Sequence, residues 1–95
     1  MDWQIICMSA NDNVGVAIVP LHAGATYTAG SLERDAFQVQ VMEDIPEGHK
    51  LALVQIENKA VIRKYGEVIG RATEQILLGQ HVHDHNLTSI RGGKL

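Results

Sequence analysis

Turn chemistry interrupts this chain so often that a helical domain cannot form from it. Nine glycines, with Pro20 and Pro46, cut the sequence into short extended segments, and an apolar pattern of helical period is almost absent. Residues 3–8 are an apolar stretch ended by the polar turn Ser9-Ala10-Asn11-Asp12-Asn13. Residues 14–19 are rich in β-branched side chains and stop at Pro20, which has no N–H to give to a strand ladder. Gly24 and Gly30 bracket a short strand at 25–28, and Phe37-Gln38-Val39-Gln40-Val41 alternates with period two. Residues 50–56 read as a buried strand and residues 60–65 as another, ending at Gly66. Val68 and Ile69 lie between Gly66 and Gly70, where the backbone is expected to bend or to approach something closely. Residues 73–78 are the one helix candidate, with Thr73 as N-cap and Gly79 at the C′ position. Residues 81–87 return to extended structure, and residues 88–95 form a polar arm or linker containing Gly92-Gly93.

These segments predict a mostly β fold of short strands and hairpins with at most one short helix, filling residues 1–87 as one domain. No internal repeat is evident. Hydrophobic residues at 45% and charged residues at 20% match ordinary globular proteins, so disorder is excluded. The net charge of −3 and only four aromatic residues argue against a nucleic-acid surface, and no apolar run reaches the ~20 residues of a membrane span. A single cysteine, Cys7, in an apolar segment reads as a small core residue in a reducing, cytoplasmic setting. Edge strands in so small a β domain also invite pairing with a second copy.

Three constellations carry chemistry. In Gly79-Gln80-His81-Val82-His83-Asp84-His85-Asn86, a strand would turn His81, His83 and His85 to one face. Alternate imidazoles sit roughly 6.5–7 Å apart at the backbone, but the outer two are about 13 Å apart. The expected metal site is therefore a pair from this run with a ligand from elsewhere, and two histidines with one carboxylate and open positions suit iron(II) or manganese. The plainer alternative is a solvated polar strand. In Gly48-His49-Lys50, a turn meets a buried strand, and His49 beside Lys50 can bind a carboxylate. Residues 63–71 place Tyr65 and Arg71 around two glycines without the spacing of a phosphate loop, so a turn with solvated flanks is the competing reading.

Four ordered segments carry a resemblance. They are Asp12-Asn13-Val14-Gly15-Val16-Ala17, Ile45-Pro46-Glu47-Gly48-His49-Lys50-Leu51-Ala52-Leu53, Ile62-Arg63-Lys64-Tyr65-Gly66-Glu67-Val68-Ile69-Gly70-Arg71-Ala72, and the histidine run 79–86. Over about residues 12 to 87 the chain resembles the small SAF-type domain of the altronate/galactarate dehydratase family, and the small subunit of sulfolactate sulfo-lyase is similar. The resemblance implies a β-clip fold and a part in a metal-dependent hydro-lyase acting on a sugar acid such as altronate or galactarate. A sulfo-lyase acting on a sulfonated hydroxy acid, or a non-catalytic carbohydrate- or protein-binding module, are the alternatives. It also implies a divalent metal, iron(II) or manganese, shared with a large catalytic subunit absent from this chain, so that the chain is inactive alone. On that reading His49, Lys50, Tyr65 and Arg71 are the substrate-binding candidates, and His81, His83 and His85 the metal candidates.

Overall fold

The computed structural model describes residues 2–90. Among these residues there are nine strands and no helix, which agrees with the mostly β expectation. The strands are β1 (Ile5–Ile6), β2 (Val14–Ala17), β3 (Thr26–Gly30), β4 (Phe37–Gln40), β5 (Lys50–Ala52), β6 (Val61–Lys64), β7 (Glu67–Ala72), β8 (His81–Val82) and β9 (Leu87–Ser89). Six form one sheet in the order β4-β3-β1-β2-β5-β8, and three form a second in the order β6-β7-β9. Pairing is antiparallel except for β1 with β3.

Alternation along β2 and β5 divides the interior in two, because successive strand residues point to opposite faces. Ala17 and Leu51 join Ile5, Cys7, Leu21, Val39, Val41 and Ile45 in one core. Val14 and Ala52 join Ile56, Ile62, Ile76 and Val82 in the other. Each large side chain removed from water in this way contributes about 1.5–3 kcal/mol. Cys7 is fully buried, as its apolar segment predicts, and burial pushes its thiol pKa up.

A repeat that is not evident in the sequence governs the connections. Four times among the described residues the chain passes through the same device. A buried aliphatic residue makes a single β-bridge, and the residue three positions later takes a positive φ in a turn. The aliphatic residues are Leu21, Ile45, Ile56 and Ile76, paired Leu21 with Ile45 and Ile56 with Ile76. The turn positions are Gly24 (φ 88°), Gly48 (φ 86°), Lys59 (φ 73°) and Gly79 (φ 86°). Each turn is closed by the same kind of backbone bond: Ala25 to His22, His49 to Pro46, Ala60 to Glu57 and Gln80 to Leu77. Lys59 in place of glycine hides the third copy in the sequence.

This device corrects the helix expected at residues 73–78. Ile76 exchanges both backbone bonds with Ile56 at 2.8 Å and is fully buried, which a free-standing helical turn would not permit. The positive φ expected of Gly79 at a helix end serves the turn instead. The irregularity expected at Val68 and Ile69 is present inside β7: Ile62 pairs with Gly70 and Arg63 with Val68, so Ile69 is the extra residue of a bulge, while the tight turn lies at Tyr65-Gly66 (φ 53° and 83°). Gly70 is required by close approach, since a Cβ there would lie 2.3 Å from the Thr88 carbonyl oxygen. Thr88 and Ser89, read in sequence as the start of an arm, belong to β9, while residues 91–95 of that arm lie outside the described residues.

Candidate functional site

His49 follows the positive-φ Gly48 directly and His81 lies two residues after the positive-φ Gly79, in the second and fourth copies of the repeat. The carbonyl of His49 accepts the Ala17 N–H, and its own N–H bonds the Pro46 carbonyl. His81 is paired opposite Leu51, and its N–H donates to the Glu43 carboxylate at 3.1 Å. The straight strand expected over residues 81–87 is not formed. It ends at Val82, and residues 83–86 turn back. Asn86 drives that turn from a buried position. Its Nδ2 donates to the His81 carbonyl and its Oδ1 accepts the His83 N–H, both at 2.9 Å.

The turn folds His83 back against His49. Their rings stack at 4.1 Å with 14° between planes. His49 Nδ1 lies 2.9 Å from His81 Nε2, and one ring nitrogen from each of His49, His81 and His83 falls within 4.8 Å of the others. Around a metal ion at 2.0–2.1 Å, imidazole nitrogens lie about 3–3.4 Å apart, so three nitrogens within 4.8 Å of one another are near the spacing of a ligand set. The Nδ1 atom of His83 is buried and has no hydrogen-bond partner. The donor set thus fits a divalent first-row ion bound by nitrogen. His85 reaches only the edge of the cluster, 5.3 Å from His81 at a tilt of 42°. Burial, then the neighbouring His49, His85 and His83, push the pKa of His81 down, while Glu43 opposes them. Its neutral, ligand-competent form is thereby favoured.

The structure brings His49, His81 and His83 together and leaves the other candidates elsewhere. Lys50, the next residue along the strand, projects away from the imidazoles. Its charged neighbours are Lys64 and Asp84, and burial followed by the Lys64 charge lowers its pKa. Tyr65 is exposed in the β6–β7 turn with the Lys64 ammonium 5.4 Å over its ring, and burial raises the pKa of its phenol, as do Asp12 and Cys7. Arg71 is exposed on β7 and donates to the Lys59 carbonyl.

Two residues of the first resemblance segment prove structural. The buried Asp12 carboxylate accepts the backbone N–H groups of Met8, Ser9 and Gly66, tying the Tyr65-Gly66 turn to the start of β2. Asn13 bridges to β6 as Asn86 bridges its own loop, donating to the Val61 carbonyl and accepting the Arg63 N–H. Glu43 had no sequence signal, because its contact with His81 spans 38 positions.

Comparison with known proteins agrees with the arrangement of these segments. Residues 3–90 match the family described as the altronate/galactarate dehydratase SAF domain. The (2R)-sulfolactate sulfo-lyase subunit alpha of Chromohalobacter salexigens is 36% identical over 93 residues, which cover 96% of this chain and 99% of that protein. The altronate dehydratase of Escherichia coli is 40% identical over 83 residues, 87% of this chain but 16% of that enzyme. Galactarate dehydratase (L-threo-forming) of the same organism is 35% identical over 75 residues, 13% of its length.

Proposed function

Because the chain belongs to the altronate/galactarate dehydratase SAF domain family, we propose that it is the small SAF component of a lyase. The lyase would eliminate water, or sulfite, from a hydroxy acid, and this chain would present its imidazole face to a large catalytic subunit. The observation that carries the proposal is the alignment along 99% of a sulfo-lyase subunit, beside alignments to 16% of an altronate dehydratase and 13% of a galactarate dehydratase. The same small unit occurs as a subunit in one protein and as a minor part of larger chains in the others. That distribution supports a small unit that works against a larger partner or domain.

The surface around the imidazoles supports that reading. Met42, 54% exposed, donates its N–H to the Gly79 carbonyl, beside the exposed Leu77 and Leu78 and two residues before His81. On the other side, exposed Ile18 follows Ala17, which bonds the His49 carbonyl. Apolar groups bordering a polar cluster are what a partner covers. No enclosed cavity forms among the described residues, so a substrate needs walls from elsewhere.

Elimination from a hydroxy acid takes a weakly acidic proton next to a carboxylate, and the charge that develops must be met by cations or a metal. An imidazole of His49, His81 or His83 that holds no metal can accept or pass that proton at a ring nitrogen. The divalent metal that the resemblance implies would draw on the same three residues and would polarise a substrate oxygen as a Lewis acid. Lys50, Tyr65 and Arg71 lie away from this face and are left to contacts outside it.

The test is reconstitution. The chain and a large dehydratase-type chain are purified separately and assayed alone and together with (2R)-sulfolactate, altronate and galactarate. Turnover of one of these acids only in the mixture is expected. Equal turnover by the large chain alone would remove the proposed role.

A further inference from the structure

We infer that His49, His81 and His83 form a metal site complete within this one chain, able to bind a divalent transition-metal ion before any partner is present, with His85 outside it. Three observations lead there. The ring nitrogens already converge within 4.8 Å, although they come from segments 32 positions apart in sequence. Each ligand is fixed by bonds other than those it would make to an ion: His49 through Ala17 and Pro46, His81 through Glu43 and Leu51, and His83 through Asn86. Little ordering is then left for binding to impose.

The third observation is chemical. The short contact between His49 and His81 occupies one nitrogen of each as a mutual hydrogen bond, but nothing similar reaches His83. Its Nδ1 is buried without a hydrogen-bond partner among the described residues, and a buried polar atom in that state is the exception in folded proteins, met by a water, an ion or a catalytic role.

The donor set defines the class of ion. Imidazole nitrogens suit zinc, iron(II), cobalt, nickel and copper and are poor ligands for magnesium or calcium. Three protein ligands leave at least one coordination position free, which is the arrangement of a reactive rather than a closed structural site. Asn86 and Glu43, bonded to the backbone of the ligands, act as positioning residues.

The experiment uses the full chain without a partner, so its failure would leave the subunit reading standing. Zinc(II) and cobalt(II) are titrated by calorimetry, and cobalt binding is followed by its visible absorption. One ion per chain is expected, bound at micromolar concentration or tighter. His49→Ala and His83→Ala should each weaken binding by about 10- to 100-fold or more, while His85→Ala should change it by less than about 3-fold. Ring-nitrogen NMR of the unaltered chain, free of any folding effect of the variants, should show zinc shifting His49, His81 and His83 and sparing His22. No binding up to about 100 µM would overturn the inference. So would a site lost in His85→Ala but kept in His49→Ala.

Discussion

Replacing Asn86 by alanine removes two hydrogen bonds at 2.9 Å and leaves the His81 carbonyl and the His83 N–H without their partner. Asn86 is only 3% exposed, so water cannot freely replace the lost groups. Each backbone group left unsatisfied costs about 1–3 kcal/mol. Allowing for partial relaxation of the loop, Asn86→Ala should destabilise the chain by roughly 2–4 kcal/mol. Urea unfolding, followed by the emission of the single tryptophan, Trp3, measures the loss. Asn13→Ala is the matched comparison, because Asn13 makes the same two kinds of bond to Val61 and Arg63 on β6. It is half-buried, so its cost should be somewhat smaller, and it should leave zinc binding unchanged. Asn86→Ala should also lower zinc affinity, since His83 is no longer held against His49. A loss below about 0.5 kcal/mol for Asn86→Ala would show that the loop is not fixed by this residue.

Other substitutions examine the repeat, the acid response and the partner face. Gly79→Ala places a Cβ 2.3 Å from the Gln40 carbonyl oxygen at a φ of +86°, whereas Gly48→Ala has the same φ with open space around it. The first should cost about 2–5 kcal/mol and the second about 1–2 kcal/mol in urea unfolding, and equal losses would refute the packing argument. Burial alone would raise the Asp12 pKa, but backbone N–H donors from Gly66, Ser9, Met8 and Tyr65 outweigh it and hold the carboxyl below 3.8. That contribution to stability is complete above the unfolded value and is lost as pH falls through the lower folded one. Stability measured from about pH 6 to pH 2 should therefore fall less steeply in Asp12→Asn than in the unaltered chain. Met42→Lys and Leu78→Lys, at 54% and 44% exposed positions, should change stability by no more than about 0.5 kcal/mol. Each should weaken association with the large chain by about 10-fold or more in a binding assay, and unchanged association would place the partner elsewhere.

Much of the fold was legible because strand signals are local. The alternation at Phe37-Gln38-Val39-Gln40 depends on neighbours in sequence and matches β4, and the β-branched segment from Val14 starts β2, which ends at Ala17 before Pro20 is reached. Residues 73–78 were misread because a short apolar cluster before a glycine suits a helix end as well as a turn. The choice is made by Ile56, twenty positions away. The repeat was hidden by Lys59, whose φ of 73° no composition rule predicts. At the site, a pair from the run with a ligand from elsewhere is the sequence expectation, and ring nitrogens of His81 and His83 lie within 4.8 Å of one on His49. His49 was assigned to substrate because its neighbour Lys50 suggested a carboxylate. The turn made by Asn86, not the alternation of the run, decides which imidazoles meet.

The central claim is that this chain lends its imidazole face to a lyase formed with a larger partner. The most direct measurement is turnover of the reconstituted complex carrying His49→Ala or His83→Ala, with assembly followed in parallel by size-exclusion chromatography. The account predicts an intact complex whose kcat falls by about 100-fold or more. An intact complex that retains full turnover with both histidines replaced would contradict it.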